Sequence, residues 1–492
     1  FATDGSEQRV LTSHTSNESN PVISPDGRWL AFVAQREDDK APQLYVLPLI
    51  GSGEARRVTQ VATGVASPKW YGDSQHLAFI SRVWPDLDFK AMADKLKQRG
   101  ESKMTARVWE KAPLSYWDQW IDEREAHLYR VAIAGDDPQA LTLTSELELP
   151  RSLSDNGSFD INPISGEVAF VADSDPLDNR INLDVYLLDA TGKTARNLTT
   201  DNKASDNNPS FSPDGKLLAF TRQTIEGFYG DTRRLMIYDA KGKLALHAPH
   251  PEWDRSADGL QWQGNSQGLY AAVDDAARVR VYELPLRGKP RAITDGASVG
   301  SIALSRGRKP LLVGLRESFL EPPTLVAINT KNGQTSELST INRDAMGKLR
   351  LGRYESVNYT GANDEPVQMW INYPADFDPA KRYPIFLLLH GGPHNAITNG
   401  FQWRWNAQLF AARGYVVAWH NFHGSSGFGQ AFTDSINPRQ DILPYEDTIK
   451  AANWLASQTW ADPQRMVAGG GSYGGYLAST LLGREHPFKA LI

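Results

Sequence analysis

The sequence predicts an all-β propeller of about seven blades over residues 1–350, followed by a mostly parallel, doubly wound α/β domain over residues 351–492. Three observations carry this reading. A hairpin repeat runs through the first two-thirds, a continuous apolar run at residues 384–389 opens an alternation of strands and helices, and a glycine-lined turn bearing a serine lies near the carboxyl end. At 492 residues the chain exceeds one ordinary core, and 40% hydrophobic residues suffice for two.

The repeat is clearest in two copies. Asn20-Pro21-Val22-Ile23-Ser24-Pro25-Asp26-Gly27-Arg28-Trp29-Leu30-Ala31-Phe32-Val33 recurs as Asn208-Pro209-Ser210-Phe211-Ser212-Pro213-Asp214-Gly215-Lys216-Leu217-Leu218-Ala219-Phe220-Thr221. Each reads as strand, Pro-Asp-Gly turn, strand, with proline fixing φ and glycine supplying φ > 0. Weaker copies lie at residues 68–80, 161–171, 260–273 and 302–313. An alternating third strand and a short fourth strand ending in Leu-Thr or a relative complete most of them, which is a propeller blade. Six repeats fall between about residues 20 and 341, and Arg9-Val10-Leu11-Thr12 reads as the outermost strand of a seventh. The second blade carries an insertion at residues 84–120 with a helix-prone stretch at 91–97 and the aromatic cluster Tyr116-Trp117-Asp118-Gln119-Trp120.

Beyond Gly352 the hairpin period gives way. The run Pro384-Ile385-Phe386-Leu387-Leu388-Leu389 suits a parallel strand covered on both faces. A helical region at residues 403–413, a strand at 415–419 and a helix at 445–458 with Ile449, Ala452, Leu455 and Ala456 on one face follow. Then Met466-Val467-Ala468-Gly469-Gly470-Gly471-Ser472-Tyr473-Gly474-Gly475-Tyr476 reads as strand, sharp turn and helix start: the nucleophile elbow of an α/β-hydrolase domain. Side chains at positions 470 and 474 would collide with neighbouring backbone, so both are glycine.

Ser472 is the candidate nucleophile. A serine hydroxyl needs a base, and the fold takes its aspartate and histidine after the serine. His486 is the sole histidine after Ser472, and a helix rising ~1.5 Å per residue carries it far from the hydroxyl. His390, His394, His420 and His423 sit on loops at the carboxyl edge of the sheet and are candidates for lining the site, with His420 and His423 read as loop residues bonded to backbone. The economical expectation is that the triad aspartate and histidine lie beyond Ile492, the hydrolase domain being truncated at its carboxyl end, with residues 488–492 beginning the next parallel strand. The oxyanion donors are expected to be the N–H of Tyr473 and one from His390-Gly391-Gly392-Pro393, at Gly391 or Gly392.

Composition narrows the classes. A net charge of -6 without long runs of one sign gives no reason to expect nucleic acid or an anionic membrane, and no apolar run reaches the ~20 residues of a membrane span. Zero cysteines exclude disulfides, thiolate metal sites and cysteine nucleophiles. No cofactor or metal is indicated. Phe1 in place of methionine suits an exported protein that has lost a signal peptide, so a periplasmic or secreted location is favoured over a cytoplasmic one, although a trimmed chain reads the same.

A propeller ahead of an α/β-hydrolase domain with His-Gly-Gly-Pro and Gly-Gly-Ser-Tyr-Gly-Gly-Tyr resembles the prolyl oligopeptidase family of serine peptidases over almost the whole chain. Residues 404–417 and 421–430 are most similar to its dipeptidyl peptidase 5 and acylaminoacyl peptidase branch. The resemblance implies a peptidase acting on short peptides, Ser472 attacking the scissile carbonyl and Tyr473 with the glycine loop holding the oxyanion. It departs at Asp441-Ile442-Leu443, where relatives tend to carry Trp-Gly-Gly, which puts the loop shape there in question. Relatives that remove dipeptides anchor the substrate amine with carboxylates, and the candidates are Glu123 and Glu125 with Asp122; a solvated charged turn is the plainer reading of the three. A non-catalytic propeller scaffold and an esterase using the same serine are the alternatives. Homo-oligomerisation and a second chain carrying the rest of the hydrolase domain stay open.

Overall fold

The computed structural model describes residues 4–109, 114–116, 118–135, 137–143, 147–150, 158–174, 182–239, 245–307 and 310–492. Among these residues the repeats form six antiparallel meanders. In the first, Glu18–Ile23, Trp29–Ala34, Gln43–Pro48 and Arg56–Arg57 pair in chain order. The last runs through Ser298–Leu304, Leu312–Ser318, Glu321–Ile328 and Thr335–Glu337.

The turn chemistry explains the hairpins. Ser24 Oγ donates to Asp26 Oδ1 at 2.6 Å and accepts from the Trp29 N–H at 3.0 Å, while Gly27 takes φ +73°. Ser212, Asp214, Leu217 and Gly215 repeat the arrangement at 2.7 Å, 2.9 Å and φ +68°. A further device went unread in the sequence. In five blades the first strand carries a bulge at a left-handed residue: Asn20, Ser67, Asn208, Gly259 and Ser301, with φ between +47° and +57°.

Residues 9–12, expected as the strand of a seventh blade, are irregular. They join no ladder among the described residues, and Val10 is 76% exposed; a lone strand without a pairing neighbour has nothing to fix it. In the second-blade insertion the expected helix spans Phe89–Glu101, capped by Asp88 Oδ1 accepting from the Ala91 N–H at 2.8 Å. Trp120 of the aromatic cluster packs on Trp109 at 5.0 Å, and Trp117 lies outside the described residues.

The chain divides into two units by contact. One comprises Val10–Gly227 and Leu235–Ala248; the other comprises Phe1–Arg9, Phe228–Arg234 and Pro249–Ile492. The second unit thus holds the last two blades, the whole six-stranded α/β sheet and the isolated segment Phe228–Arg234.

The α/β sheet orders its strands Tyr354–Thr360, Pro366–Asn372, Val416–His420, Tyr383–Leu389, Ala461–Gly470, Ala490–Leu491. The first two form an antiparallel hairpin that the sequence reading missed, and Val416–His420 runs antiparallel to Pro366–Asn372. From Val416–His420 onward the pairing is parallel. Ile385, Leu387, Val416, Ala418, Met466 and Ala468 are fully buried in the core beneath helices Leu443–Ala456 and Tyr473–Leu482. The expected helix at residues 403–413 is shorter, Ala407–Ala411.

Candidate active site

At the end of strand Ala461–Gly470 the chain turns through Ser472, at φ +56° and ψ -125°, into helix Tyr473–Leu482. A left-handed φ on a non-glycine residue costs about 1–3 kcal/mol and persists where the surroundings enforce it. The enforcement is visible in the flanking glycines. A Cβ on Gly470 or on Gly474 would stand 2.1 Å from the Leu389 carbonyl oxygen, so neither position admits a side chain. Ser472 is exposed, and its hydroxyl donates to no group among the described residues. Its carbonyl accepts from the Gly475 and Tyr476 N–H groups, which winds the helix; the Tyr473 N–H lies in the first turn, where backbone donors lack intrahelical acceptors.

The His-Gly-Gly-Pro loop faces this serine. A Cβ on Gly391 would lie 3.4 Å from Ser472 Cβ and 3.9 Å from its Oγ. The Trp405 ring closes over the elbow, 3.3 Å from where a Cβ on Gly471 would stand. The structure therefore brings Ser472, Tyr473, Gly391 and Gly392 together.

The histidines divide differently from expectation. His390 is 2% exposed: its Nδ1–H donates to the Gly391 carbonyl at 2.8 Å, Nε2 lies 3.0 Å from Ser425 Oγ, and its ring stacks on Phe422 at 3.9 Å. His420 and His423 are held by side chains rather than by backbone alone. The Tyr359 hydroxyl donates to the Asp447 carbonyl, so His420 Nδ1–H donates to the Tyr359 oxygen at 2.9 Å. His423 Nδ1 pairs with Asp447 Oδ2 at 2.8 Å, and Asp447 Oδ1 accepts from the Ala362 N–H at 2.7 Å. Asp447 lies on the buried side of helix Leu443–Ala456, and a carboxylate on a buried helix position is the signal that sequence reading passed over. None of these histidines, nor His486 stacked on Phe488, hydrogen-bonds Ser472.

Burial pushes His390 down to about 3 and His420 down to about 4, so both stay neutral in the fold. For His423 burial opposes the charge, but the Asp447 carboxylate outweighs it and the group ends raised. The signs follow from linkage. His390 and His420 contribute stability that is present above their ordinary 6.5 and lost as pH falls through their folded values, whereas the His423 contribution is full below 6.5 and lost as pH rises through its folded value. The urea midpoint is expected to fall between about pH 6.5 and 4, and less steeply in His420→Asn; equal slopes in the two proteins would refute the assignment.

The proposed amine anchors are already engaged. Glu123 bonds Arg99 and lies 3.3 Å from Lys95, both on helix Phe89–Glu101, and is held down to about 2 despite partial burial. Asp122 pairs with Arg124 at 2.9 Å and Arg99 at 3.3 Å, and Glu125 Oε2 lies 3.3 Å from His127 Nε2. At Asp122 and Glu123 a substrate ammonium would compete with cations of this chain. The Asp441 departure is tied down too, by Arg439 at 3.0 Å and Arg484 at 2.7 Å, while the Tyr473 hydroxyl donates to the Gln440 carbonyl at 2.5 Å.

Residues 401–492 match the model of the prolyl oligopeptidase family. Among curated proteins, the chain is 30% identical to a probable dipeptidyl-peptidase 5 of Aspergillus terreus, covering 79% of this chain and 57% of that protein. It is 28% identical to dipeptidyl-peptidase 5 of Porphyromonas endodontalis over 99% of this chain and 70% of the relative, and 27% identical to that of Porphyromonas gingivalis over 97% and 77%. The chain spans 57% to 77% of the length of these relatives. Among solved structures, acylaminoacyl peptidase of Pyrococcus horikoshii superposes with a TM-score of 0.77 at 20% identity, over 96% of this chain and 69% of that one. Dipeptidyl peptidase 4 of Porphyromonas gingivalis gives 0.60 at 18% over 98% and 68%. Residues 401–492 thus carry the sequence pattern of the prolyl oligopeptidase family, and the blades, sheet order and elbow agree with that match.

Proposed function

We propose that the protein is a serine peptidase that releases dipeptides or acyl-amino acids from the amino terminus of short peptides through an acyl-enzyme on Ser472. The observation that carries this reading is the strained, exposed Ser472 held against the His-Gly-Gly-Pro loop, 3.4 Å between its Cβ and the Gly391 Cβ position. Ser472 Oγ attacks the scissile carbonyl and forms the C–O bond. The oxyanion takes hydrogen bonds from the Tyr473 N–H and the glycine loop. The C–N bond then breaks, the amine leaves with the proton shuttled from the serine, and water hydrolyses the ester. This reading calls for a histidine–aspartate pair to shuttle that proton. The dipeptidyl-peptidase 5 names of the relatives support an amino-terminal dipeptide as the released unit, and the acylaminoacyl peptidase likeness, at 20% identity, supports the fold.

No helix among the described residues is long and apolar enough to cross a membrane. A periplasmic or secreted location is part of the proposal, and cell fractionation tests it.

The test of the activity is labelling of the full-length protein by a fluorophosphonate, with the adduct mapped to Ser472, together with kcat/KM for a dipeptidyl amide, an acetyl-amino-acid amide and the ester of the same acyl group. Labelling at Ser472 with turnover of an amide is the expected result. Absence of labelling sinks the reading, and turnover of the ester alone makes the protein an esterase.

A further inference from the structure

The segment Phe228–Arg234 interrupts the fourth blade in sequence, between strands Leu217–Arg222 and Arg234–Asp239, yet it groups by contact with the unit that holds the elbow. Two of its rings meet one residue there. The Phe228 ring meets the His394 ring edge-on at 4.9 Å and 88°, and the Tyr229 ring meets it at 5.3 Å and 66°. Gly230 makes this approach sterically feasible, because a Cβ there would stand 2.8 Å from both His394 Cγ and Phe228 Cζ. The segment is moored a second time by the Thr232 N–H, which donates to Gln430 Oε1 at 2.7 Å, while the Gln430 N–H donates to Asp254 Oδ1 at 2.8 Å.

We propose that residues 228–232 are a positioning element of the peptidase site, the Phe228 and Tyr229 rings holding His394 and through it the backbone that carries the oxyanion donor. This rests on the peptidase reading above. The glycines beside Ser472 have no side chains with which to fix themselves, so the loop is held by the residues that flank them. On one side His390 is anchored inside the hydrolase core. On the other side stands His394, 5% exposed, its Nδ1–H donating to the Gly424 carbonyl at 3.0 Å. A Cβ on Gly392 would sit 2.7 Å from the His394 nitrogen, so the donor loop and His394 have no slack between them. An oxyanion donor must be placed to within ~0.5 Å, and a displacement of about 1 Å from a remote change can cost on the order of 100-fold in rate. A segment of the propeller chain thereby takes part in the chemistry, beyond any part the blades play in admitting substrate.

The test uses Tyr229→Ala, Tyr229→Phe and Phe228→Leu in the full-length protein, with a dipeptidyl amide as substrate and a peptidyl trifluoromethyl ketone and a product dipeptide as ligands. The expected kcat order is wild type, Tyr229→Phe, Tyr229→Ala, with Tyr229→Ala and Phe228→Leu down about 10- to 100-fold and KM within about threefold. Affinity for the ketone, which forms the oxyanion, should fall by the same factor as kcat/KM, while affinity for the product dipeptide stays constant. A purely structural role would not couple the two. Unchanged kcat, or a rise in KM alone, overturns the proposal, and if Tyr229→Ala fails to fold the other two variants carry the same test. When wild type is labelled and active but the variants match it, the clamp alone falls; when wild type takes no label and turns over no substrate, the peptidase reading falls and the clamp with it.

Discussion

Ser472→Ala is expected to lower kcat by about 10⁶-fold and to abolish fluorophosphonate labelling while leaving the fold intact, the scale seen when a triad serine is removed. The fold should survive because Ser472 is exposed and its side chain bonds nothing among the described residues, so an alanine methyl occupies the same space without stranding a buried partner. Alanine keeps the Cβ and hence the strained φ of +56°, and what the elbow pays for that conformation is unchanged. Residual hydrolysis in the variant, some 10³- to 10⁴-fold over water, would report the oxyanion site and substrate binding alone. Thermal melting of the two proteins should coincide within a few degrees. Turnover within tenfold of wild type would move the nucleophile elsewhere.

The parts of the fold that were readable in sequence are those fixed by local chemistry. Pro-Asp-Gly turns at residues 25–27 and 213–215 need only their own Ser and Asp side chains and one positive φ, and all of these lie within five residues. The elbow was readable for the same reason, since the exclusion of side chains at Gly470 and Gly474 leaves a mark in the sequence itself. What was hidden depends on partners far along the chain. The hairpin opening the α/β sheet alternates too weakly in Tyr354–Thr360 to separate it from a blade strand, and only its pairing through Pro366–Asn372 to Val416–His420 gives it a place. His423 read as a backbone-bonded loop residue because nothing near it in sequence announces Asp447, 24 residues away. Glu123 reads as a solvated carboxylate because helix Phe89–Glu101 returns its Lys95 and Arg99 to it only in three dimensions. The blade bulges fall between these cases: Asn20 and Asn208 are asparagines, which tolerate left-handed φ, but Ser67 and Ser301 hold the same geometry with no such residue preference.

His390→Ala is expected to lower kcat/KM by about 10²- to 10³-fold, most of it in kcat, because one oxyanion donor is lost in effect though no donor atom is removed. The imidazole is neutral, burial having pushed it down to about 3, so exactly one of its nitrogens carries a proton. That nitrogen is Nδ1, since its partner at 2.8 Å is the Gly391 carbonyl, which only accepts. The bond fixes the plane of the peptide between Gly391 and Gly392, and in a trans peptide the Gly392 N–H points opposite to the held carbonyl. Aiming that carbonyl inward at His390 therefore turns the Gly392 N–H outward, on the loop that faces Ser472. Alanine removes both the donor and the stacked ring on Phe422 at 3.9 Å, and leaves the Gly391 carbonyl without its partner. The loop then has only His394 to hold it. Asparagine at 390 offers one amide N–H without the ring and should recover part of the rate, and the ketone affinity should track kcat/KM across wild type, His390→Asn and His390→Ala. A His390→Ala protein that keeps wild-type kcat with an intact melt would show that Gly391 and Gly392 place themselves, and that the histidine beside them serves only packing.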